Sequence, residues 1–384
     1  MQKNIIKEIL MITFIVFNLL CVGQEIESTT NLDVTLSWSQ EPNGHTFPVD
    51  VYVPKINSPT DGHPVCVLLH GRGGNGADMI RQFQDVLTCH VLIAPTGYKN
   101  SWNLCEEESD APDLELIDML ILDVQSFSNT NSSMIRVLGN SNGSGLANRI
   151  FIENTNPGID IICAIVSQLN VSQYHLEGFY APLSTTDPLE SYCGYKNEVD
   201  PLSGRRYLSI CNENDPIIPY YGGSSVVGLD FLAAEEAAYL IAQQEGFSGS
   251  QLQGSGTPMD DPIIYEFNYL EGKVVHLKGN AQHSINESQK RYIAEFFGTC
   301  DDYMLKTDPL GSIKLYPNPT YSSVYLQKGF YGHNNSYSLI DAVGMELIQG
   351  KTNAEITEIN LRTYPSGTYF LRYDGEIFKI IKSR

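Results

Sequence analysis

Val137-Leu138-Gly139-Asn140-Ser141-Asn142-Gly143-Ser144-Gly145 carries an apolar run into a G-x-S-x-G pattern and on into residues suited to a helix. A strand, a sharp turn and a helix in that order form a nucleophile elbow, which aims one hydroxyl out of the end of a sheet. Ser141 supplies that hydroxyl. Gly139 and Gly143 leave room for strand and helix to pass closely, and the helix N-terminus favours developing negative charge.

A serine is a weak nucleophile unless a base takes its proton, and the intermediate it forms needs donors for its oxyanion. Upstream, Leu69-His70-Gly71-Arg72-Gly73-Gly74 follows another apolar run and exposes backbone donors. The N–H groups of Arg72 and Asn142 are the expected oxyanion hole. No G-x-x-x-x-G-K-[ST] pattern is present, which argues against a phosphate-cradling loop. Downstream, Asp215 lies in Cys211-Asn212-Glu213-Asn214-Asp215-Pro216, just after the strand-like Tyr207 to Ile210. His283 lies in Gly279-Asn280-Ala281-Gln282-His283, after the strand-like Lys273 to Leu277. The chain order Ser141, Asp215, His283 assigns nucleophile, orienting carboxylate and general base.

Competing residues exist for each role. His276 falls inside a strand, where a structural role is expected. Glu213 and Asp230 are alternative carboxylates, and His70 is expected to shape its loop. Trp102, in Lys99-Asn100-Ser101-Trp102-Asn103, reads either as core or as flanking the substrate, and the cleft is favoured because the residue follows a strand end. Gly71 is assigned to substrate binding.

Working outward, Val65 to Leu69 and Val91 to Ile93 are continuous apolar runs, as expected of strands buried on both faces. Asp113 to Val124 repeats apolar residues at helical spacing. Met134 to Leu138, a helix from about Asn142, Ile161 to Val166, Tyr207 to Ile210 and a helix over Leu229 to Glu245 continue the alternation. The fold class is therefore α/β, a mostly parallel sheet with helices on both faces. Leu36 to Pro54 reads as an opening hairpin turning at Glu41-Pro42-Asn43-Gly44, and Gly246 to Pro262 as a long loop. Ile263 to Leu277 reads as two short strands around Glu271-Gly272, and Gln289 to Phe297 as a closing helix. Beyond a linker at 301–311 only strand-like runs occur, so 312–384 reads as a small all-β domain after a catalytic domain of 24–300.

Lys3 and Lys7 precede the apolar run Ile9 to Val22, with a small Gly23 behind it. This is the pattern of a signal peptide over 1–23, too short for a spanning helix, and no stable membrane span is expected in the mature chain. The net charge of −21, from 24 Lys and Arg against 45 Asp and Glu, repels phosphate backbones and excludes nucleic acid as a partner. Without Cys21, seven cysteines remain. Cys66 and Cys163 read as buried hydrophobes, whereas Cys89, Cys105, Cys193 and Cys300 lie near loops and are candidates for disulfides of open connectivity. No Cys or His spacing points to a metal site, and the chemistry requires no metal.

These motifs together resemble the polyhydroxybutyrate depolymerase and feruloyl esterase group of α/β-hydrolases, over about Val49 to Gly298. The resemblance rests on Leu69 to Gly74, on Ala94-Pro95-Thr96-Gly97 with Ser101-Trp102-Asn103, on Ser141-Asn142-Gly143, and on Asp215 to Gly223. It implies cofactor-free hydrolysis of esters outside the cell, on hydroxycinnamoyl or acetyl esters of plant polysaccharide or on polyesters. The chain departs from the group at Cys211-Asn212-Glu213, where His-Gly-Thr is frequent, at Asn280-Ala281-Gln282, where glycines are, and at Ser144. A peptidase on the same scaffold and a surface glycan-binding protein with a decayed hydrolase domain are the alternatives. The last 75 or so residues look like a type IX secretion sorting domain, with Leu315-Tyr316-Pro317-Asn318-Pro319-Thr320, Asp341-Ala342-Val343-Gly344, Ser366-Gly367-Thr368-Tyr369 and the basic end Lys379-Ile380-Ile381-Lys382. That resemblance implies the type IX secretion machinery as a partner.

Overall fold

The computed structural model describes residues 23–383, apart from 184–185, 260–263, 301–313, 328–335, 353–355 and 374–375. The expected leader up to Val22 and the expected linker lie outside the described residues. The chain forms two compact units, one from the residues up to Lys55 with 62–84 and 90–289, the other from 56–61, 85–89 and 290–384.

The first unit opens with β1 (Val34–Trp38) paired antiparallel to β2 (Glu41–Phe47). Trp38 faces Glu41, so the chain turns at Ser39-Gln40. The expected turn at Glu41 to Gly44 instead lies inside β2, because a turn-like dipeptide is overridden once its strand finds a partner. After β3 (Val49–Tyr52) and β4 (His63–Leu69), α1 (Gly76–Phe83) starts at Asn75, whose side chain accepts from Asp78 N at 2.9 Å and caps the helix. Then follow β5 (Val91–Pro95), α2 (Asp113–Gln125), β6 (Thr130–Asn140), α3 (Asn142–Glu153) and β7 (Ile159–Ile165).

Every residue of β4 and β5 is buried, as the unbroken apolar runs require of strands covered on both faces. On α2 the buried Leu116, Ile117, Leu120, Ile121 and Val124 form the stripe that faces the sheet. An excursion not anticipated from sequence comes next: β8 (Tyr174–His175), β9 (Gly178–Pro182) and β10 (Tyr195–Val199) form a separate antiparallel sheet. The chain returns through β11 (Arg206–Asn212) and the short pair β12 (Gly223–Ser224) and β13 (Asp230–Phe231). The helix expected from Leu229 starts only at α4 (Ala234–Gln244), since Asp230 and Phe231 are held in that pair. β14 (Thr257–Pro258), inside the expected long loop, adds to the edge strand β15 (Tyr265–Tyr269), which runs antiparallel to β16 (Val274–Gly279).

The nine-stranded sheet has the order β14-β15-β16-β11-β7-β6-β4-β5-β3. The six strands from β16 to β5 are parallel and the outer ones antiparallel. The C-terminal ends of the parallel strands therefore open on one side, where ligands bind sheets of this kind.

In the second unit, α5 (Glu287–Phe297) begins at the boundary and Cys89 is disulfide-bonded to Cys300. Two sheets follow, β17 (Lys314–Tyr316) with β18 (Ser323–Gln327) and β21 (Ile356–Asn360), and β19 (Ser336–Asp341) with β20 (Glu346–Lys351), β22 (Gly367–Tyr373) and β23 (Glu376–Lys382). Val324, Leu326, Leu339, Ile359, Leu371 and Ile380 belong to one buried cluster. The Lys382 ammonium is buried, but it donates to the carbonyls of Leu361, at 2.7 Å, and Tyr364, which satisfies its charge.

Candidate active site

Ser141 stands between β6 and α3 with φ 54° and ψ −116°. Left-handed backbone is costly for a residue with a Cβ and survives only where surroundings enforce it. Here Ser141 N donates to Ile165 O at 2.8 Å, and its carbonyl accepts from Ser144 N at 2.8 Å. A Cβ on Gly143 would sit 2.2 Å from Leu69 O, so only glycine lets the first turn of α3 pass the end of β4. The same approach brings the Leu69 to Gly74 loop beside Ser141: a Cβ on Gly71 would lie 3.4 Å from that of Ser141.

The three residues picked out by chain order meet in space. His283 Nε2 lies 2.7 Å from Ser141 Oγ, and Nδ1 lies 2.8 Å from Asp215 Oδ2. An ionised carboxylate only accepts, so Nδ1 carries the proton and Nε2 is left to accept from the serine hydroxyl. The Asp215 side chain is 2% exposed, and its Oδ1 accepts from the backbone N–H of Ile217 at 2.8 Å and Ile218 at 3.1 Å. These bonds fix the carboxylate plane that in turn fixes the imidazole.

The loops carrying Asp215 and His283 are laced together by side chains that sequence reading did not single out. Asn212 Nδ2 donates to the carbonyls of Gln282 and Ser284, on either side of His283, at 2.7 and 2.8 Å. Asn214 donates to Asn280 O at 2.8 Å and accepts from Gln282 N at 2.9 Å. Two of the segments where the chain departs from the group it resembles are thus bonded to each other.

His70 holds the glycine loop, as expected. Its Nε2 accepts from Gly97 N at 3.0 Å, which leaves Nδ1 to donate to Gly71 O at 2.7 Å. Burial pushes its pKa down, in keeping with that neutral tautomer. Trp102 differs from expectation. It is fully buried, its ring lies against His70 at 4.8 Å between centroids, and Nε1 donates to His70 O at 2.7 Å. It therefore does not open on the cleft but backs the loop that does, because indole burial against the loop satisfies its single donor.

The backbone N–H groups of Arg72 and Asn142 donate to no other residue among the described residues. Their side chains do have partners, since Asn142 Oδ1 accepts from Trp102 N at 2.7 Å and both residues reach Glu107. The competing residues are engaged elsewhere. His276 is buried between Tyr220 and Ser209, and desolvation lowers its pKa to about 3. Glu213 accepts from Tyr221, and Asp230 from Ser224 at 2.5 Å. Among the described residues no group of His, Cys, Asp or Glu is placed to hold a metal ion, and no helix is long and apolar enough to cross a membrane.

Cys105 is disulfide-bonded to Cys193, whereas Cys66, Cys163 and Cys211 are free and buried. The first unit, with the positive-φ turn at Ser141 between β6 and α3, has the α/β-hydrolase fold. Residues 314–383 match the secretion system C-terminal sorting domain family. The protein is therefore secreted or attached to the cell surface. No curated protein matches the chain. Solved structures similar to it include a carboxylesterase from Bacillus cereus (15% identity, 65% of this chain and 93% of that one, TM-score 0.41). A phospholipase/carboxylesterase from Dyadobacter fermentans (16%, 66% and 97%, 0.38) and a poly(3-hydroxybutyrate) depolymerase from Bordetella parapertussis (16%, 57% and 81%, 0.38) are also similar.

Proposed function

We propose that the protein is a serine hydrolase that cleaves carboxylic esters outside the cell through an acyl-enzyme on Ser141. The observation that carries this reading is the unbroken chain from Ser141 Oγ through His283 to Asp215, at 2.7 and 2.8 Å. As Oγ attacks the ester carbonyl, its proton passes to His283 Nε2, and Asp215 stabilises the imidazolium. The carbonyl oxygen becomes an oxyanion facing the N–H groups of Arg72 and Asn142, next to the N-terminus of α3. Collapse expels the alcohol, which takes the proton from Nε2. Water, deprotonated by the same nitrogen, then frees the acid and restores Ser141. Gly71 borders the nucleophile closely enough to line the acyl site.

The substrates proposed are hydroxycinnamoyl or acetyl esters of plant polysaccharide, or polyesters, following the motif resemblance. Export supports a substrate met outside the cell, including a polymer. The mature protein is expected to release p-nitrophenol from short acyl esters, and Ser141→Ala to lower kcat by at least about four orders of magnitude. Equal turnover by the variant would remove Ser141 from the chemistry. Turnover on methyl ferulate, acetylated xylan, polyhydroxybutyrate and an aromatic polyester ranks the substrate classes.

A further inference from the structure

The Glu107 side chain is 5% exposed and accepts four hydrogen bonds. Its Oε2 takes the backbone N–H groups of Leu104 at 3.1 Å and Cys105 at 2.8 Å. Its Oε1 takes Arg72 Nη2 at 3.0 Å and Asn142 Nδ2 at 2.9 Å. The two residues gathered on Oε1 are the two whose backbone N–H groups face the developing oxyanion. They come from separate elements, Arg72 from the loop after β4 and Asn142 from the start of α3.

We propose that Glu107 is a positioning residue of the oxyanion hole, fixing the two halves of the hole to one oxygen atom so that their N–H groups converge. The inference rests on the ester-hydrolase reading and deepens it. Oxyanion donors act only if held where charge will appear, and their contribution is made in the transition state rather than in the Michaelis complex. A carboxylate is the group that fits, because donors approach both oxygens. A glutamine at this position would turn its NH2 towards either the two backbone amides or the Arg72 and Asn142 pair, opposing donor to donor. A bare negative charge here would oppose the oxyanion. The Arg72 guanidinium offsets it through the ion pair at 3.0 Å, so charge is balanced while the geometry is kept. The backbone end of the clamp is itself fixed, since Cys105 is disulfide-bonded to Cys193.

The test measures kcat and KM per active site, with Ser141 titrated by a fluorophosphonate, for the wild type, Glu107→Gln, Arg72→Met and the double variant. Glu107→Gln is expected to lower kcat about tenfold or more with KM little changed, since loss of a whole oxyanion donor costs about a hundredfold or more. Arg72→Met, which releases the hole from the other side, is expected to lower kcat in the same direction. The double variant is expected to fall well short of the product of the two losses, because both act through one tether. A residue that only anchors its loop would lower thermal stability and the fraction of titratable Ser141, yet leave kcat per titrated site unchanged; that result overturns the inference. Should Glu107→Gln fail to fold, Arg72→Met decides, and an unchanged kcat there overturns it equally. Wild-type protein with neither ester turnover nor titratable Ser141 overturns the hydrolase reading and this inference with it, whereas active wild type with unaffected variants overturns this inference alone.

Discussion

At the scale of single residues, the site is a set of side chains held by other side chains with no part in the chemistry. Asn212 shows how tightly. Its amide NH2 spans the carbonyls of Gln282 and Ser284, and its Oδ1 accepts from Gln289 Nε2 at 3.0 Å, so both ends of the group are committed. Asn212→Ala would leave two carbonyls without their donor and let the His283 loop drift. A misplacement of the base by about 1 Å costs on the order of a hundredfold. The variant is expected to lose between about ten- and a hundredfold in kcat, with the loss centred on proton transfer, so that fluorophosphonate labelling of Ser141 slows in parallel. Labelling at the wild-type rate would show that the loop is held by other means. That Ser141, Asp215 and His283 meet was legible in sequence because the roles proposed for them demand particular residue types in a particular order at strand ends. Asn212 and Glu107 were not, since an asparagine next to a strand end, or the middle member of Glu106-Glu107-Glu108, carries no mark of what it will touch. Trp102 shows the reverse error: a large aromatic after a strand end suits a cleft, yet its indole N–H is bonded in the interior to the His70 carbonyl.

At the scale of elements, the parallel strands and α2 were legible because burial on both faces and a 3.6-residue stripe leave patterns in composition. The hairpin turn at Ser39-Gln40 and the late start of α4 were not, because each was decided by a pairing partner remote from local preference. The β8-β9-β10 sheet left little trace for the same reason. It is fastened to the segment bearing Glu107 by the Cys105–Cys193 disulfide, whose Cα atoms lie 5.5 Å apart and whose partners are 88 residues apart in sequence. Cys105, Cys193, Tyr195, Ile218, Leu229 and Phe231 share one buried cluster, and Ile217 packs against it, so the cluster holds both Ile217 and Ile218, the residues whose N–H groups donate to Asp215. Closing a loop of this size restricts the unfolded chain and contributes about 2–4 kcal/mol. Replacing Cys105 and Cys193 together by serine is expected to lower the urea midpoint accordingly. In a reducing agent strong enough to open only this bridge, the wild type should approach the variant; identical midpoints for the oxidised wild type and the variant would deny the bridge its stabilising role.

For the whole molecule, function and stability answer differently to pH. The acidic surface carries a net charge of −21, whose self-repulsion lessens as carboxylates protonate. Buried histidines act in the opposite sense. His276 is enclosed by Tyr220 and Ser209, and burial first, then the Lys278 ammonium, hold its pKa at about 3 against 6.5 for a free histidine side chain. The Tyr220 hydroxyl donates to Glu235 at 3.0 Å, so His276 Nε2–H donates to Tyr220 and Nδ1 accepts from Ser209, a neutral tautomer. Between pH 6.5 and about 3 the unfolded chain binds a proton at this position that the folded chain refuses. The group's contribution is thus fully present above pH 6.5 and is lost as the pH falls, by about 1.4 kcal/mol for each unit. Asp113, fully buried and raised to about 7 chiefly by desolvation, has the contrary slope, being protonated in the fold while still ionised in the unfolded chain down to its ordinary range. The total slope therefore mixes signs, and only a difference isolates His276. His276→Gln keeps a donor for Tyr220 and removes the titration, so stability measured by urea unfolding should fall less steeply from pH 6 to pH 4 in the variant, by about 1.4 kcal/mol per unit. Parallel curves would mean that the unfolded chain gains no proton there that the fold excludes. Since His276 lies apart from the Ser141–His283–Asp215 chain, the pH dependence of ester turnover should be unmoved by the same substitution, which separates the loss of folded protein in acid from the pH dependence of the proposed chemistry.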